Sequence, residues 1–465
     1  MIILVFGANS TLWGVIGLCR LAERHLRRLR AVLSSSVKPT GRHAAGAPPG
    51  EEVDVVVALR GGARRPRSGR LSVEDVAVLI AAHNESVVIA DSLAAITELV
   101  PKGNVHVVSD GSTDDTEALA AATGVHVTAT ETNLGKAGAL AYAIKEFGLV
   151  ERFAVVMLLD ADTRVQPGYF ASALPLFDDL TVSAVAGAVG TAWARKLSAI
   201  GTLLVGHRTR IYSMAQRVLK FGQTWSRVNA TYIVPGFASM YRSDVLPEID
   251  MNPPGLVIED FNMTFELYKK RLGKVGFSLS AVAVTQDPDT LRDYARQTKR
   301  WALGLWQTVR RHPPRFDLFS GMLAALLIEL LTSSLVFLLL PILAVVLILP
   351  DFYGGALSLP VFAGLHGVIA AHVDLRDLLF GIVLPDYALT LLVATVERKP
   401  RLLLGGLFFL FLRIFDAGIA LYTLPSAWLT KSNGRWQSPT RRALSADGTQ
   451  NSEQSHAFVR GAKAG

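Results

Sequence analysis

Hydrophobic and polar positions divide the chain into three textures. Met1 to Cys19 carries no formal side-chain charge. As a helix it would reach about 28 Å, close to the thickness of a bilayer core. Arg20, Arg24, Arg27 and Arg28 follow it. A cleaved signal peptide needs positive charge before its apolar core and a small-residue cleavage site. The reverse order here favours an uncleaved anchor over residues 1–20, with the N-terminus outside. Residues 21–70 then read as a basic cytosolic linker; Ser34 to Arg70 is rich in Ser, Gly, Pro, Ala and Arg and expected to be mobile.

From Leu71 the pattern changes to short β-rich runs alternating with amphipathic stretches. Val76–Ala82, Asn104–Asp110, Val125–Thr130, Ala154–Asp160 and Val182–Gly190 read as buried strands. SVVIADSLAAITELV and KAGALAYAIKEFG between them read as helices. This alternation predicts an α/β domain over residues 71–315 with a mostly parallel sheet and ligands at its carboxyl edge.

After Pro314 the chain is apolar again, and residues 316–430 are expected to be membrane-associated. Leu318 to Leu349 is 32 residues broken by one charge, Glu329, and reads as an interfacial helix leading into a span. Leu357–Val373, Leu378–Thr395 and Leu402–Leu429 follow, with Asp386, Arg413 and Asp416 expected to face the bundle interior. Four C-terminal spans keep the basic, disordered tail of residues 431–465 inside, but put Glu397–Arg401 outside, against the positive-inside tendency. Three spans reverse both placements. Four is the expectation carried forward.

Composition sharpens this picture. Half of the 465 residues are hydrophobic and 18% are charged, with a mean hydropathy of +0.34, which excludes a disordered chain and points to a membrane protein. The net charge is +8, and Arg20 to Arg70 holds 12 Lys and Arg against 4 acids, so the whole surplus lies behind the first apolar run. Such a flank suits membrane lipids; nucleic acid is not the expected partner, because no aromatic residues interleave the cations. The single cysteine, Cys19, excludes an intrachain disulfide and a cysteine zinc cluster.

Candidate chemistry collects at the ends of the expected strands. In LLDAD, Asp160 and Asp162 stand at i and i+2 of an extended segment, so both project to one side and can hold Mg²⁺ or Mn²⁺ against a diphosphate. Taken alone, such a triplet is more often a solvated loop. Asp110 in VSDGSTDDT stands where a ribose or base can be hydrogen-bonded, although a capped turn explains the same letters. NLGKAGAL joins Gly135 and Gly138 to Lys136 at a helix start, where a cation opposes the dipole and implies a bound negative group. Asn84 and Glu85 in AAHNES can cap a helix or touch a nucleotide. Downstream, Glu259 and Asp260 offer either a helix start or a general base. Gln297, Arg300 and Trp301 offer either interfacial anchors or a pyrophosphate cation beside a sugar platform.

These motifs, in this order from Val76 to Arg311, resemble the membrane-bound family-2 glycosyltransferases, the group of cellulose, chitin, hyaluronan and poly-N-acetylglucosamine synthases. The resemblance implies a GT-A type domain on the cytosolic face of a multi-pass protein of the cell membrane. It implies a UDP-sugar donor, and a growing glycan or lipid-linked acceptor. It gives Asp110 to the uridine, Lys136 to the nucleotide, Asp160 to ribose or diphosphate, Asp162 to the metal and Asp260, beside Glu259, to the base. Gln297, Arg300 and Trp301 match the Q-x-x-R-W signature of processive members, and Gly236 in PGFASMYR matches a close-approach position on the acceptor side. His83 stands where the family commonly has Tyr or Phe. A nonprocessive transferase acting on a lipid is the alternative within enzymes. A silent scaffold or transporter has no need for Asp110, Asp160, Asp162 and Asp260 together.

Overall fold

The computed structural model describes residues 7–36, 70–194 and 197–429. Its strands are β1 (Val76–Ala82), β2 (Val105–Asp110), β3 (His126–Thr130), β4 (Val155–Asp160), β5 (Arg164–Val165), β6 (Val182–Thr191), β7 (Ala238–Arg242) and β8 (Lys274–Thr285). The principal helices are α1 (Ala8–Ser36), α2 (Ile89–Thr97), α3 (Lys136–Glu146), α4 (Ala199–Met214), α5 (Glu259–Lys269), α6 (Leu291–Arg311), α7 (Leu318–Phe352), α8 (Pro360–Ala370), α9 (Leu384–Val396) and α10 (Arg401–Leu429).

All eight strands join one sheet in the order β3-β2-β1-β4-β7-β6-β8-β5. The first four pair in parallel, as does β6 with β8, while β7 runs antiparallel between β4 and β6. The α/β domain with a mostly parallel sheet is therefore present, and each of the five expected runs is a strand. Sequence reading did not single out β7 and β8, whose alternation is interrupted by polar residues.

Side chains alternate across the sheet. Val76, Val78 and Ile80 face one core with Ile89, Leu93 and Ile96 of α2. Ala77, Leu79 and Ala81 face the other with Ala139, Leu140 and Ala143 of α3. Burial on both faces explains why VAVLIAA is continuously apolar. The pairing Ala81↔Asp160 and the neighbouring pair Asp110↔Thr130 place the ends of β2, β3 and β4 on one edge. Thr191 and Thr285, paired at the ends of β6 and β8, reach the same edge.

The boundary expected between anchor and linker falls inside one helix. Residues 1–6 and 37–69, like the tail expected over 431–465, lie outside the described residues, but α1 runs unbroken from Ala8 to Ser36. Good helix formers and a Glu23–Arg27 ion pair one turn apart continue it past Arg20. Trp13 is buried, and Arg20 donates to the Phe221 carbonyl (2.5 Å) and Thr224 Oγ1 (2.9 Å), which docks α1 on the domain. Its first turn is capped by another helix: Glu329 accepts from the Asn9 amide (2.7 Å) and the Ser10 hydroxyl (2.7 Å). The one charge in the apolar run of α7 thus satisfies otherwise orphaned amides.

Three described helices are long and apolar enough to cross a membrane: Leu318–Phe352, Leu375–Val396 and Arg401–Leu429. The span expected over Leu357–Val373 is instead a 3₁₀ turn, Gly354–Ser358, followed by the 11 residues of α8. At about 16 Å, α8 is roughly half of a bilayer core. Pro360 starts it and Asp374 caps the next helix, so the four-span expectation is not met among the described residues. Asp386 faces inward as expected, held bidentately by Arg210 (2.5 and 2.9 Å) and also by Arg413 (2.5 Å).

Breaking a buried ion pair from one side strands the remaining charges. Asp386→Ala should lower stability in detergent by about 3–5 kcal/mol. Replacing Asp386, Arg210 and Arg413 together by Leu, Met and Met should recover most of that loss in thermal unfolding.

Candidate active site

The carboxyl edge of the sheet assembles the site from separate motifs. Asp110 ends β2 fully buried; its Oδ1 accepts from the Leu134 amide (2.8 Å) and Thr130 hydroxyl (3.0 Å), and its Oδ2 has no hydrogen-bond partner. Burial raises its pKa against those two hydrogen bonds. Gly111, at φ 59°, is obligatory beside it, because a Cβ there would stand 2.6 Å from the Asn133 amide nitrogen. Asn84 and Glu85 tie the neighbouring loops together: Asn84 Oδ1 accepts from the Thr113 amide (2.8 Å), and the Glu85 amide donates to Thr116 Oγ1 (2.8 Å).

Lys136 opens α3 and reaches across the edge. Its Nζ lies 2.7 Å from Asp160 Oδ1 and 2.9 Å from Glu259 Oε1, and donates to the Gly236 carbonyl at 3.2 Å. The negative partners implied by a cation at a helix start are therefore side chains of the protein itself. Burial opposes the ammonium, but the two carboxylates outweigh it and raise its pKa. Gly236 lies against the same contacts: a Cβ on it would stand 2.9 Å from both Lys136 Nζ and Glu259 Oε1, so one or both side-chain ends would have to shift.

Glu259 and Asp260 occupy the first turn of α5, where the helix dipole favours negative charge. Their ionisation differs. Burial works against the Glu259 carboxylate, but Lys136 outweighs it and holds the pKa below the usual range. Burial pushes Asp260 up to about 7, reinforced by the Glu259 charge and opposed by Lys136. Adjacent carboxylates with separated pKa values suit one charged spectator and one proton acceptor.

Asp160 ends β4, and Asp162 follows it, buried, with Thr163 and Thr285 hydroxyls each 3.3 Å from its oxygens. Two carboxylates at this spacing fit a hard divalent cation. Among the described residues no group of three or more His, Cys, Asp or Glu could hold a metal ion.

Gln297, Arg300 and Trp301 lie on α6, and Gln297 Oε1 and Arg300 Nε are buried without a hydrogen-bond partner. Trp301 packs against the apolar cluster of Ile258, Phe261 and Leu305. Sequence reading missed two neighbours. Asp287, between β8 and α6, has its pKa raised to about 6 by burial; its Oδ1 accepts from Tyr212 (2.8 Å) and its Oδ2 is unpartnered. Arg208 stacks on Trp301 with 4.5 Å between guanidinium carbon and ring centroid. The run HRTR inside apolar α4 was the available signal for Arg208.

Residues 155–373 match the family described as glycosyl transferase family group 2. That stretch is similar to the family-2 glycosyltransferases. The match takes in Asp160, Asp162, Glu259, Asp260, Gln297, Arg300 and Trp301. Over 251 residues the chain is 28% identical to the uncharacterized glycosyltransferase YaiP of Escherichia coli K12, covering 52% of this chain and 60% of that protein. Over 261 residues it is 26% identical to the poly-beta-1,6-N-acetyl-D-glucosamine synthase of Staphylococcus epidermidis, with the same coverages. The chain thus spans about 60% of the length of these curated relatives. Among solved structures, the mannosyltransferase PcManGT of Pyrobaculum calidifontis, in complex with GDP-Man and Mn²⁺, is 18% identical with a TM-score of 0.43, covering 75% of this chain and 87% of that one.

Gly236→Ala should cut transfer by about tenfold or more while the sheet folds normally, because displacing Lys136 and Glu259 misplaces reacting groups; circular dichroism and a transfer assay read the two effects separately. A base must be ionised, so kcat/KM should fall as pH drops below about 7, with a single-proton slope. Glu259→Gln removes one charge that raises the Asp260 pKa and should move that midpoint to lower pH.

Proposed function

We propose that this protein is an inverting, metal-dependent glycosyltransferase that takes sugar from a UDP-sugar and extends a β-linked polysaccharide at the cytosolic face of the membrane. The observation that carries this reading is the Lys136 bridge. It brings Asp160 and the Glu259–Asp260 pair within one ionic cluster, with the Arg300 charge acting on Glu259. The named polysaccharide synthase among the relatives supports a glycan product.

The chemistry follows from the groups present. Asp260 takes the proton of the acceptor hydroxyl; the freed oxygen attacks the anomeric carbon, whose bond to the diphosphate oxygen breaks on the opposite side. One carboxylate base is enough, and no glycosyl-enzyme nucleophile is required. Asp160 and Asp162 would hold Mg²⁺ or Mn²⁺, which supplies charge neutralisation at the diphosphate when bound. Arg300 supplies a fixed cation near the same charge, and the unpartnered Asp110 Oδ2 is available to uridine or ribose. Trp301 offers the acceptor sugar a flat apolar face.

Sidedness has its own support. Glu397, in the turn between the second and third candidate spans, accepts from Ser213 (2.7 Å) and Arg217 (3.3 Å) of the domain. Lys399 lies 5.4 Å from the Trp193 ring. The basic turn and the domain therefore share a face, which with three spans is the cytosolic one by the positive-inside tendency.

Purified protein in lipid, offered a panel of radiolabelled UDP-sugars, should convert one of them into a ladder of products. Asp162→Asn or excess chelator should abolish transfer. A product that stops at one added sugar would replace polymer extension by single addition to an acceptor, and full activity in chelator would remove the metal.

A further inference from the structure

Helix α4 carries three polar contacts within four residues. His207 Nε2 lies 3.1 Å from Asp416 Oδ2, and Arg210 binds Asp386, so both tie α4 to the candidate membrane helices. Arg208 turns instead toward α6. Its guanidinium carbon lies 4.3 Å from the Tyr294 ring centroid and 4.5 Å from that of Trp301, and its Nη2 donates to Thr298 Oγ1 at 2.7 Å. Tyr294, Thr298 and Trp301 are i, i+4 and i+7 on α6, a single stripe of the helix. One planar cation is therefore clasped between two aromatic rings and a hydroxyl of the helix that bears the Q-x-x-R-W residues.

This placement is costly for a surface-seeking side chain. Arg208 is 3% exposed, and its Nε has no hydrogen-bond partner. Desolvation makes a buried guanidinium unfavourable unless contacts of this kind offset it. Tyr294 is itself fixed, since its hydroxyl donates to Asp416 (2.8 Å). Trp301 also packs against the cluster of Ile258, Phe261 and Leu305. The stack thus leads from a candidate membrane helix, through Tyr294 and Arg208, to the Trp301 ring.

We propose that Arg208 is a positioning residue for the acceptor: its guanidinium clamps the Trp301 indole in the orientation that a sugar ring must meet for transfer. The inference rests on the transferase reading above and adds a residue that acts through Trp301. A site of this kind must be held to about half an ångström, and a flat cation stacked on the indole supplies that restraint where a flexible ammonium would not.

The test uses full-length protein in lipid and a double-mutant cycle of Arg208→Met with Trp301→Ala. Arg208→Met should raise the acceptor KM or shorten products by about tenfold, with UDP affinity within about twofold of wild type; in the Trp301→Ala background it should add nothing further. Arg208→Lys keeps the charge but not the flat stack, so it should show the same acceptor defect, and it reads the same cycle if the Met variant does not fold. Independent, multiplying losses in the double variant, equal losses of UDP and acceptor affinity, or full rescue by Lys would each overturn the clamp. Tryptophan emission separates this inference from the function it rests on. If wild type transfers no sugar, the transferase reading fails, while an Arg208→Met change in emission that vanishes in Trp301→Phe still supports the clamp. An unchanged emission overturns it.

Discussion

Lys136 is the constraint around which the site is organised. A buried ammonium needs negative partners, and this one finds them on two elements far apart in sequence, Asp160 at the end of β4 and Glu259 at the start of α5. The partners in turn need the cation: without it two or three carboxylates would crowd one edge with only burial and mutual repulsion to set their charge. Its presence keeps Glu259 ionised, and Glu259 and burial then keep Asp260 close to neutral pH. Gly236 belongs to the same constraint, because a Cβ there would displace the Lys136 and Glu259 side-chain ends. The parallel sheet makes the arrangement possible by ending β2 and β4 on one edge.

A second set of polar contacts joins the domain to the apolar helices. Asp386 with Arg210 and Arg413, Asp416 with His207 and Tyr294, and Glu329 with the first turn of α1 each place a charged group from a candidate span against the domain or its N-terminal helix. Charges in such helices are expensive in lipid, and each is satisfied inside the protein. The consequence is mechanical. Helix α6, with Gln297, Arg300 and Trp301, is braced along Asp416 and Ala420 of α10, where the Trp306 indole donates to the Ala420 carbonyl at 3.2 Å. Gln297, Arg300 and Trp301 are therefore built on the bundle of apolar helices, while Asp110 and Asp160 are built on the sheet.

Much of this was legible in the chain itself. Continuous apolar runs such as VAVLIAA announce strands buried on both faces, and their alternation with amphipathic stretches announces the α/β domain, because burial on each face requires helices there. Local chemistry also placed Asp110 and Asp160 at strand ends and Glu259 and Asp260 at a helix start, since these depend on neighbours within a few residues. Two boundaries came out differently. Leu357–Val373 is apolar enough to suggest a span, but Pro360 opens a short helix inside it and Asp374, just beyond it, caps the next. The anchor and linker share one helix because the domain offers Arg20 carbonyl and hydroxyl partners.

What the sequence determined was the set of chemical groups and the secondary elements that carry them. Which of those groups meet was decided only by tertiary structure. Lys136 read alone called for an anion; that the anions are Asp160 and Glu259, 24 and 123 positions away, follows from the sheet order and from the loop that brings α5 to its edge. Asp287 carries no local signature of a site and Arg208 only that of a polar run in an apolar helix, because a cation–π stack and a buried carboxylate are created by long-range contacts between α4, α6 and the end of β8. Propensity and periodicity act over one or two turns, whereas desolvation and charge pairing act through space, and the latter set the ionisation and orientation of every group proposed to react.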